Sequence, residues 1–448
     1  MRSDTIAAIA TAPGEGAIGI VRLSGPDALE IAQKLFDRPL RERRAVFGRM
    51  VDVGSGCLLD EGIGTLMSGP RSYTGEDTVE LSGHGGLRSL RRLFEAVLGA
   101  GARAAEPGEF TLRAFLNGRM DLTQAESVLD LVRARTDASA DLALSGLRGG
   151  LAEPIRRARS QALEILAYLG ARADFPDEDV PLRDIGPELE ALVRVLDDLV
   201  SGAEYGIVQR EGARIAIAGL PNAGKSSLLN RLLGEERAIV TPIPGTTRDT
   251  IEETLNLLGI PAVLTDTAGI RDSVDLVEKM GVERSHDAIS RSDIVLIVLD
   301  ASQPLLEAEV RLVKAYAGRC TVVALNKSDI ECRVDVMDPH IAGMVATRIS
   351  ALTGDGIDGL RVLLCDAVLS GAQPPKSGAA LTTTRQRDAA WRGAEYVRAA
   401  FEGFRSGAPE DLLAVDLGGA VRALGELSGE DVTEDLLDTI FSRFCIGK

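Results

Sequence analysis

The spacing of apolar residues changes character several times along the chain, and each change predicts a different kind of structure. Up to about residue 118 the apolar residues come in short runs closed by Gly and Pro, as in Asp4-Thr5-Ile6-Ala7-Ala8-Ile9-Ala10 and Ala17-Ile18-Gly19-Ile20-Val21-Arg22-Leu23. Such runs predict strands of a mixed α/β domain. From about Leu122 the period becomes helical. Ile155, Ala158, Ala162, Leu166 and Leu169 make one stripe, and Leu189, Leu192, Val193, Leu196, Leu199 and Val200 make another. Between about Glu211 and Ser370 strand-like runs such as Ile294–Leu299 and Thr321–Leu325 alternate with helical stretches, as a parallel α/β sheet requires. A polar, Pro- and Gly-bearing linker, Ser370–Gly378, closes that module. Helical spacing then resumes at Leu412, Leu413, Leu417, Val421, Leu424 and Leu427, and again after Thr433, an N-cap followed by Glu434 and Asp435.

The pattern predicts a multidomain fold of α/β and all-α parts. It comprises a mixed α/β domain over 1–118, a first helical part over 119–210, an inserted nucleotide-binding α/β domain over 211–370 and a second helical part over 371–448. The first helical part cannot bury its apolar seam alone. Pairing with the C-terminal helices follows naturally, and pairing between two copies is the alternative.

At 448 residues, 45% apolar and 26% charged, the chain has room for two or three globular domains. No run approaches the roughly 18 apolar residues of a membrane span, and Met1-Arg2-Ser3-Asp4 has no secretory pattern, so a cytoplasmic protein without membrane attachment is expected. The five cysteines, Cys57, Cys320, Cys332, Cys365 and Cys445, are scattered, and neither a disulfide framework nor a zinc site is indicated. His84, His286 and His340 lack metal-ligand spacing. A net charge of −17 argues against diffuse nucleic-acid binding. The stretch Arg88–Arg135, with Arg91, Arg92, Arg103, Arg113, Arg119 and Arg133, reads either as a local basic face or as ordinary solvated surface.

The chemistry is concentrated in the inserted domain. Gly219-Leu220-Pro221-Asn222-Ala223-Gly224-Lys225-Ser226 is a phosphate-binding loop, preceded by the apolar run Ile215–Ala218 and followed by a helix from Ser227. Its backbone N–H groups around Ala223 and Gly224 cradle phosphates, Lys225 reaches the β- and γ-phosphates, and Ser226 ligates magnesium. Asp266-Thr267-Ala268-Gly269 follows a strand-like run; the Asp holds magnesium through water and the Gly amide reaches the γ-phosphate. Asn326-Lys327-Ser328-Asp329 suits guanine, because Asp329 accepts from N1–H and the 2-amino group, whereas adenine leaves it unpaired. Ser350-Ala351-Leu352 completes the base site. Three motifs in this order make GTP the expected ligand.

Between the first two motifs, Thr241-Pro242-Ile243-Pro244-Gly245-Thr246-Thr247-Arg248-Asp249 reads as a switch segment, with Thr247 the choice for a magnesium ligand. Ile270 cannot orient an attacking water. Catalytic help is therefore expected elsewhere: a monovalent cation held by Asn222 and switch carbonyls, or an arginine, Arg248 or Arg271, each equally explained as a surface ion pair. Glu278 is the nearest carboxylate for arranging water, with a solvated helix face the alternative.

Gly-x-Pro-Asn-Ala-Gly-Lys-Ser, Gly245-Thr246-Thr247-Arg248-Asp249 and the apolar residue after Asp-Thr-Ala-Gly resemble the Era/Obg/TrmE group of GTPases. Residues 72–77 (Ser-Tyr-Thr-Gly-Glu-Asp), 107–118 (Pro-Gly-Glu-Phe-Thr-Leu-Arg-Ala-Phe-Leu-Asn-Gly) and the end Phe444-Cys445-Ile446-Gly447-Lys448 extend the resemblance over essentially the whole chain, to the tRNA modification GTPases of the MnmE (TrmE) family. The resemblance implies an N-terminal folate-binding domain that also forms a homodimer, a helical domain and a Ras-like P-loop GTPase domain inserted into it. It implies work with an FAD-dependent partner, MnmG, on tRNA: an aminomethyl or carboxymethylaminomethyl group is placed at carbon 5 of the wobble uridine. The one-carbon unit would come from 5,10-methylenetetrahydrofolate, with 5-formyltetrahydrofolate as an analogue.

Carried over by position, the resemblance makes Asn222, Thr241, Ile243 and Thr246 potassium ligands, Ser226 and Thr247 magnesium ligands, and Glu278 the water-organising residue. The nucleotide contacts it implies run over 222–227, 241–247, 266–269, 326–329 and 350–352, including Ser227, Pro242, Pro244 and Gly245. In the folate site the matching positions are Arg22, Glu80, Arg119 and Lys448. Cys445 becomes a candidate catalytic thiol, with a buried small apolar residue the alternative. Arg119 stands where the family commonly has Lys, and Thr383-Thr384-Arg385-Gln386 where it tends to show Asn-x-Arg-His. A ribosome-assembly or RNA-binding GTPase is the rival function, supported by the GTPase motifs alone. A GTP switch at a membrane lacks the basic amphipathic or lipidated segment it needs.

Overall fold

The computed structural model describes residues 4–174, 180–235, 253–266, 290–375 and 378–448. The chain divides into two compact units, Met1–Leu129 with Gly425–Lys448, and Asp130–Leu424.

In the first unit the short apolar runs become strands because their alternate residues serve two faces. β1 (Ile6–Ile9), β2 (Gly16–Ser24), β3 (Val46–Val51), β4 (Leu58–Met67), β5 (Thr78–Gly85) and β6 (Arg103–Ala104) form one sheet in the order β3-β4-β5-β2-β1-β6. All neighbours are antiparallel except β1 and β6. Ala7, Val21, Leu23, Val79 and Leu81 pack with the helices Ala28–Leu35 and Leu87–Gly99, through Ile31, Leu35, Leu93 and Val97. Ile6 and Ala8, one residue out of phase, pack with Phe110 and Tyr73. The helix Glu434–Phe441 begins as expected, the Thr433 hydroxyl accepting from the Leu436 N–H at 3.3 Å, and Phe441 stacks with Phe115 and Phe444.

The motif residues of this unit prove to be one polar network. The Ser24 hydroxyl meets Thr74 at 2.7 Å and donates to Glu76 at 2.9 Å, and Tyr73 meets Thr111 at 2.9 Å. Asn117 donates to the Thr74 carbonyl at 2.8 Å. Arg113, 7% exposed, reaches Asp4, Glu76 and Glu109, while Arg103 reaches Asp4 and Glu109. The basic stretch is therefore not one surface: Arg103 and Arg113 are spent inside the unit, because a buried guanidinium requires carboxylate partners.

In the second unit β7 (Ala213–Ala218), β8 (Glu253–Leu257), β9 (Ile260–Asp266), β10 (Ile294–Asp300), β11 (Thr321–Asn326) and β12 (Val345–Arg348) follow the order β12-β11-β10-β7-β9-β8, parallel except for β8 against β9. Both faces of the sheet are covered, so its central strands read as unbroken apolar runs. Ile215, Ile217, Leu296 and Val298 face the helices Lys225–Glu235 and Ile357–Leu369, and Ala216, Ala218, Val295 and Ile297 face Val313 of the helix Glu307–Tyr316. The predicted seam is buried within the chain. The helix Gly186–Ser201, with Leu189, Leu192, Leu196 and Leu199 inward, runs against Thr384–Ser406, which buries Ala389, Ala390, Ala394, Val397 and Ala400. Arg398 meets Asp197 at 2.6 Å and Arg387 meets Glu204 at 2.7 Å along it. Gln386 has a local role here: its N–H is capped by the Thr383 hydroxyl at 3.0 Å and its side chain accepts from the Thr382 N–H at 2.8 Å, much as in a capping box.

Candidate functional site

The loop 219–226 leaves β7 and enters the helix Lys225–Glu235 through backbone that few side chains permit. Gly224 has φ +95°, and a Cβ there would lie 2.1 Å from Asn326 Nδ2. A Cβ on Gly219 would lie 2.4 Å from the Val298 carbonyl oxygen. Asn222 itself is left-handed, at φ +65°. Lys225, 6% exposed, lies beneath the loop and donates to the carbonyls of Gly219 and Leu220, each at 2.9 Å.

Asn326, at the end of β11 and 2% exposed, joins two distant segments. Its amide donates to the Ala223 carbonyl at 2.8 Å and accepts from the Ala351 N–H at 2.9 Å. Phosphate loop and base loop thus share one buried side chain. Asp329 receives the hydroxyl of the fully buried Ser350 at 2.6 Å, and the same hydroxyl accepts from the Thr353 N–H. The Ser328 N–H donates to the Ile349 carbonyl at 3.0 Å. Lys327, at φ +67°, sends its ammonium to Asp300 at 2.5 Å. Burial raises the pKa of Asp300, but Lys327 and Ser302 outweigh it and hold the carboxyl below its ordinary value.

These residues converge on a cavity of about 620 Å³, lined by Gly224, Ser227, Asn230, Arg231, Asn326, Lys327, Asp329 and Leu352 among others. That volume lies within the range of small-ligand sites, roughly 300–1,000 Å³. The four polar motif residues Asn326, Lys327, Asp329 and Ser350 are brought together; Ser226 and Asn222 lie exposed on the loop, and Asp266 ends β9. Thr241, Pro242, Ile243, Pro244, Gly245, Thr246, Thr247, Arg248, Thr267, Ala268, Gly269, Ile270, Arg271 and Glu278 lie outside the described residues. Sequence reasoning missed Asp300, Ser302 and Arg231. The helical spacing of Ser227, Asn230, Arg231 and Gly234 was the available sign that Arg231 shares a face with the loop.

A second polar site lies in the first unit. Arg22 and Glu80 are register partners on β2 and β5, and their side chains form an ion pair at 2.8 Å. The Arg22 guanidinium lies 5.8 Å from the centroids of both Tyr73 and Phe110 and donates to the Gly447 carbonyl at 3.3 Å. The last residues are thus held beside the pair. Gly447 has φ +93°, and a Cβ on it would meet the Ile9 carbonyl at 2.7 Å. Arg119 is exposed and packs near the turn at Gly75; among the described contacts none joins it to Arg22 or Glu80. Cys445 is exposed and free, so the alternative of a buried apolar cysteine does not hold.

Residues 122–445 match the family described as MnmE helical domain, and residues 5–119 match that described as GTP-binding protein TrmE N-terminus. The chain is 50% identical to the tRNA modification GTPase MnmE of Chloroflexus aurantiacus and 49% identical to that of Roseiflexus castenholzii, each over 100% of both chains.

The chain belongs to the MnmE family.

A solved structure of an Era variant from Aquifex aeolicus with bound GDP and aluminium fluoride is 26% identical, with TM-score 0.29, over 41% of this chain and 66% of that one. In MnmE terms, the two sites fall in different matched regions, Arg22 and Glu80 in the TrmE N-terminus and the cavity beside the loop 219–226 within the span of the helical-domain match. Among the described residues no helix is long and apolar enough to cross a membrane.

Proposed function

We propose that this member of the tRNA modification GTPase family binds GTP in the cavity at the phosphate loop and couples its hydrolysis to modification of the wobble uridine of tRNA. The observation that carries the reading is Asn326, one buried amide bonded both to the phosphate loop and to the base loop beside Asp329. Asp329 accepts from the N1–H and 2-amino group of guanine, and Lys225 exchanges its carbonyl partners for the β- and γ-phosphates. Ser226 and Thr247 hold magnesium, which neutralises developing charge on the phosphates. Asn222, Thr241, Ile243 and Thr246 hold potassium, and Glu278 arranges the attacking water. The exposed, left-handed Asn222 fits that assignment, since nothing in the loop covers it.

The Arg22–Glu80 site suits a reduced folate. Glu80, oriented by its ion pair with Arg22, offers a carboxylate to a pterin amide edge, Tyr73 supplies aromatic surface, and Arg119 and Lys448 supply cations for glutamyl carboxylates. The folate would carry the one-carbon unit, and the accessible Cys445 thiol is a candidate nucleophile toward it. The chain works in the cytoplasm as a homodimer, with the FAD-dependent protein MnmG as partner, and installs an aminomethyl or carboxymethylaminomethyl group at carbon 5. Mass spectrometry of tRNA nucleosides from a strain lacking the gene tests this directly: unmodified wobble uridines are expected, and an unchanged nucleoside profile refutes it. The cation assignment predicts GTP hydrolysis far faster in potassium than in sodium. Equal rates in matched salts refute that part.

A further inference from the structure

Arg231 lies on the helix that follows the phosphate loop, and with Ser227, Asn230 and Gly234 it forms the helix face that lines the cavity. Its guanidinium grips two consecutive carbonyls of the base loop. Nε donates to Ala351 O at 3.3 Å, and Nη2 donates to Leu352 O. A peptide group is planar, so the Ala351 carbonyl and the Leu352 N–H belong to one rigid unit and point opposite ways. A guanidinium that fixes the carbonyl therefore fixes the direction of the N–H. It also polarises that peptide and strengthens the N–H as a donor. The neighbouring amide is already committed, since the Ala351 N–H donates to Asn326 at 2.9 Å. The Leu352 N–H is the loop donor left for a ligand.

Resting on the reading of this cavity as a guanine site, we propose that Arg231 is a positioning residue for base recognition: it holds the Ala351–Leu352 peptide so that the Leu352 N–H receives the 6-oxo group of guanine. Adenine carries an amino group at that carbon and would set donor against donor. Asp329 reads the opposite edge of the base, so the two ends of recognition are separable. A lysine cannot grip two carbonyls in this forked way, and a methionine keeps the stem without any donor.

The test is equilibrium binding to the full-length protein of GDP and of 2-aminopurine riboside diphosphate, which keeps the 2-amino group of guanine, has hydrogen at carbon 6 and lacks the N1 proton. The weaker Asp329 contact this causes is common to native protein and variant, so the readout is the variant-to-native ratio for each nucleotide. In Arg231→Met, GDP should bind about tenfold more weakly, the effect of one misaligned hydrogen bond, while affinity for the analogue changes less than about twofold. Arg231→Lys should fall between Arg231→Met and the native protein, and circular dichroism melts confirm that both variants fold. Equal weakening of both nucleotides would assign Arg231 a merely structural role and overturn the proposal, as would unchanged GDP affinity. A native protein that fails to prefer GDP to ADP overturns the base-site reading itself, and this proposal with it.

Discussion

Replacing Asn326 by Ala is the sharpest test of how the nucleotide site is held together. The side chain is 2% exposed and satisfies two backbone groups of residues that are themselves buried, Ala223 and Ala351 at 2% and 7% exposure. Removing it orphans a carbonyl and an N–H, each costing about 1–3 kcal/mol. The cavity beside them admits water, which offsets part of this, so a net loss of about 3 kcal/mol is expected. That loss falls on the state in which the phosphate loop and the base loop are aligned, which is the state that binds nucleotide. Affinity should therefore drop by on the order of a hundredfold. The assay is fluorescence titration with a labelled GDP, paired with melting in the presence and absence of saturating nucleotide. Asn326→Asp should be at least as damaging, since its carboxylate faces the Ala223 carbonyl without a donor. Should GDP affinity stay within about threefold of the native value while the melting temperature falls, Asn326 is only a core residue and the two loops align without it.

The first unit offers four further predictions. Arg113→Ala strips Asp4, Glu76 and Glu109 of a shared cation and should cost about 2–4 kcal/mol locally, less than a fully buried pair because Asp4 and Glu76 keep 33% and 26% side-chain exposure; hydrogen exchange along β1 reads it. The same network makes the unit acid-sensitive. Arg103 lowers the pKa of Asp4 below 3.8, and Arg103 with Arg113 outweighs burial to lower that of Glu109 below 4.5, so their stabilisation is complete above those values and lost as the pH falls through the folded ones. His84 behaves oppositely: the Asp60 carboxylate at 2.7 Å raises its pKa above 6.5, and its contribution, present below 6.5, disappears as the pH rises through the folded value. NMR titration should show His84 returning toward 6.5 in Asp60→Asn. Gly447→Ala forces a side chain against Ile9 at φ +93° and should weaken 5-formyltetrahydrofolate by on the order of tenfold; unaltered affinity by isothermal titration would remove the chain terminus from the proposed folate site.

What could be read from the sequence, and what could not, follows from how far apart the interacting residues lie. The phosphate loop and Asn326-Lys327-Ser328-Asp329 are contiguous, and each residue type answers a requirement of one ligand. The strands could be found because burial on two faces leaves unbroken apolar runs such as Ile294–Leu299. Asp300 could not be assigned, because its cation Lys327 reaches it only once β10 and β11 lie side by side, and the local bonds to Ser302 and Gln303 look like an ordinary turn. Arg113 shows the same limit in reverse. Its neighbours in sequence suggested a basic face, whereas two of its three carboxylate partners, Asp4 and Glu76, come from distant segments and only Glu109 lies one turn away on its own helix.

The same logic separates recognition from support at the nucleotide cavity. Residues that face a ligand are constrained by its chemistry and recur as short motifs, which is why Asp329 is legible in the sequence. Residues that aim those groups are constrained only by the local packing of this chain, so Arg231 and Asp300 carry no motif. Substituting them should therefore change how well the motif residues work without changing what they recognise, except where, as with the Leu352 N–H, the aimed group is itself a reader of the base. That exception makes Arg231 the informative position: a loss confined to 6-oxo ligands separates aiming a donor from merely filling space, and a loss shared by all nucleotides does not.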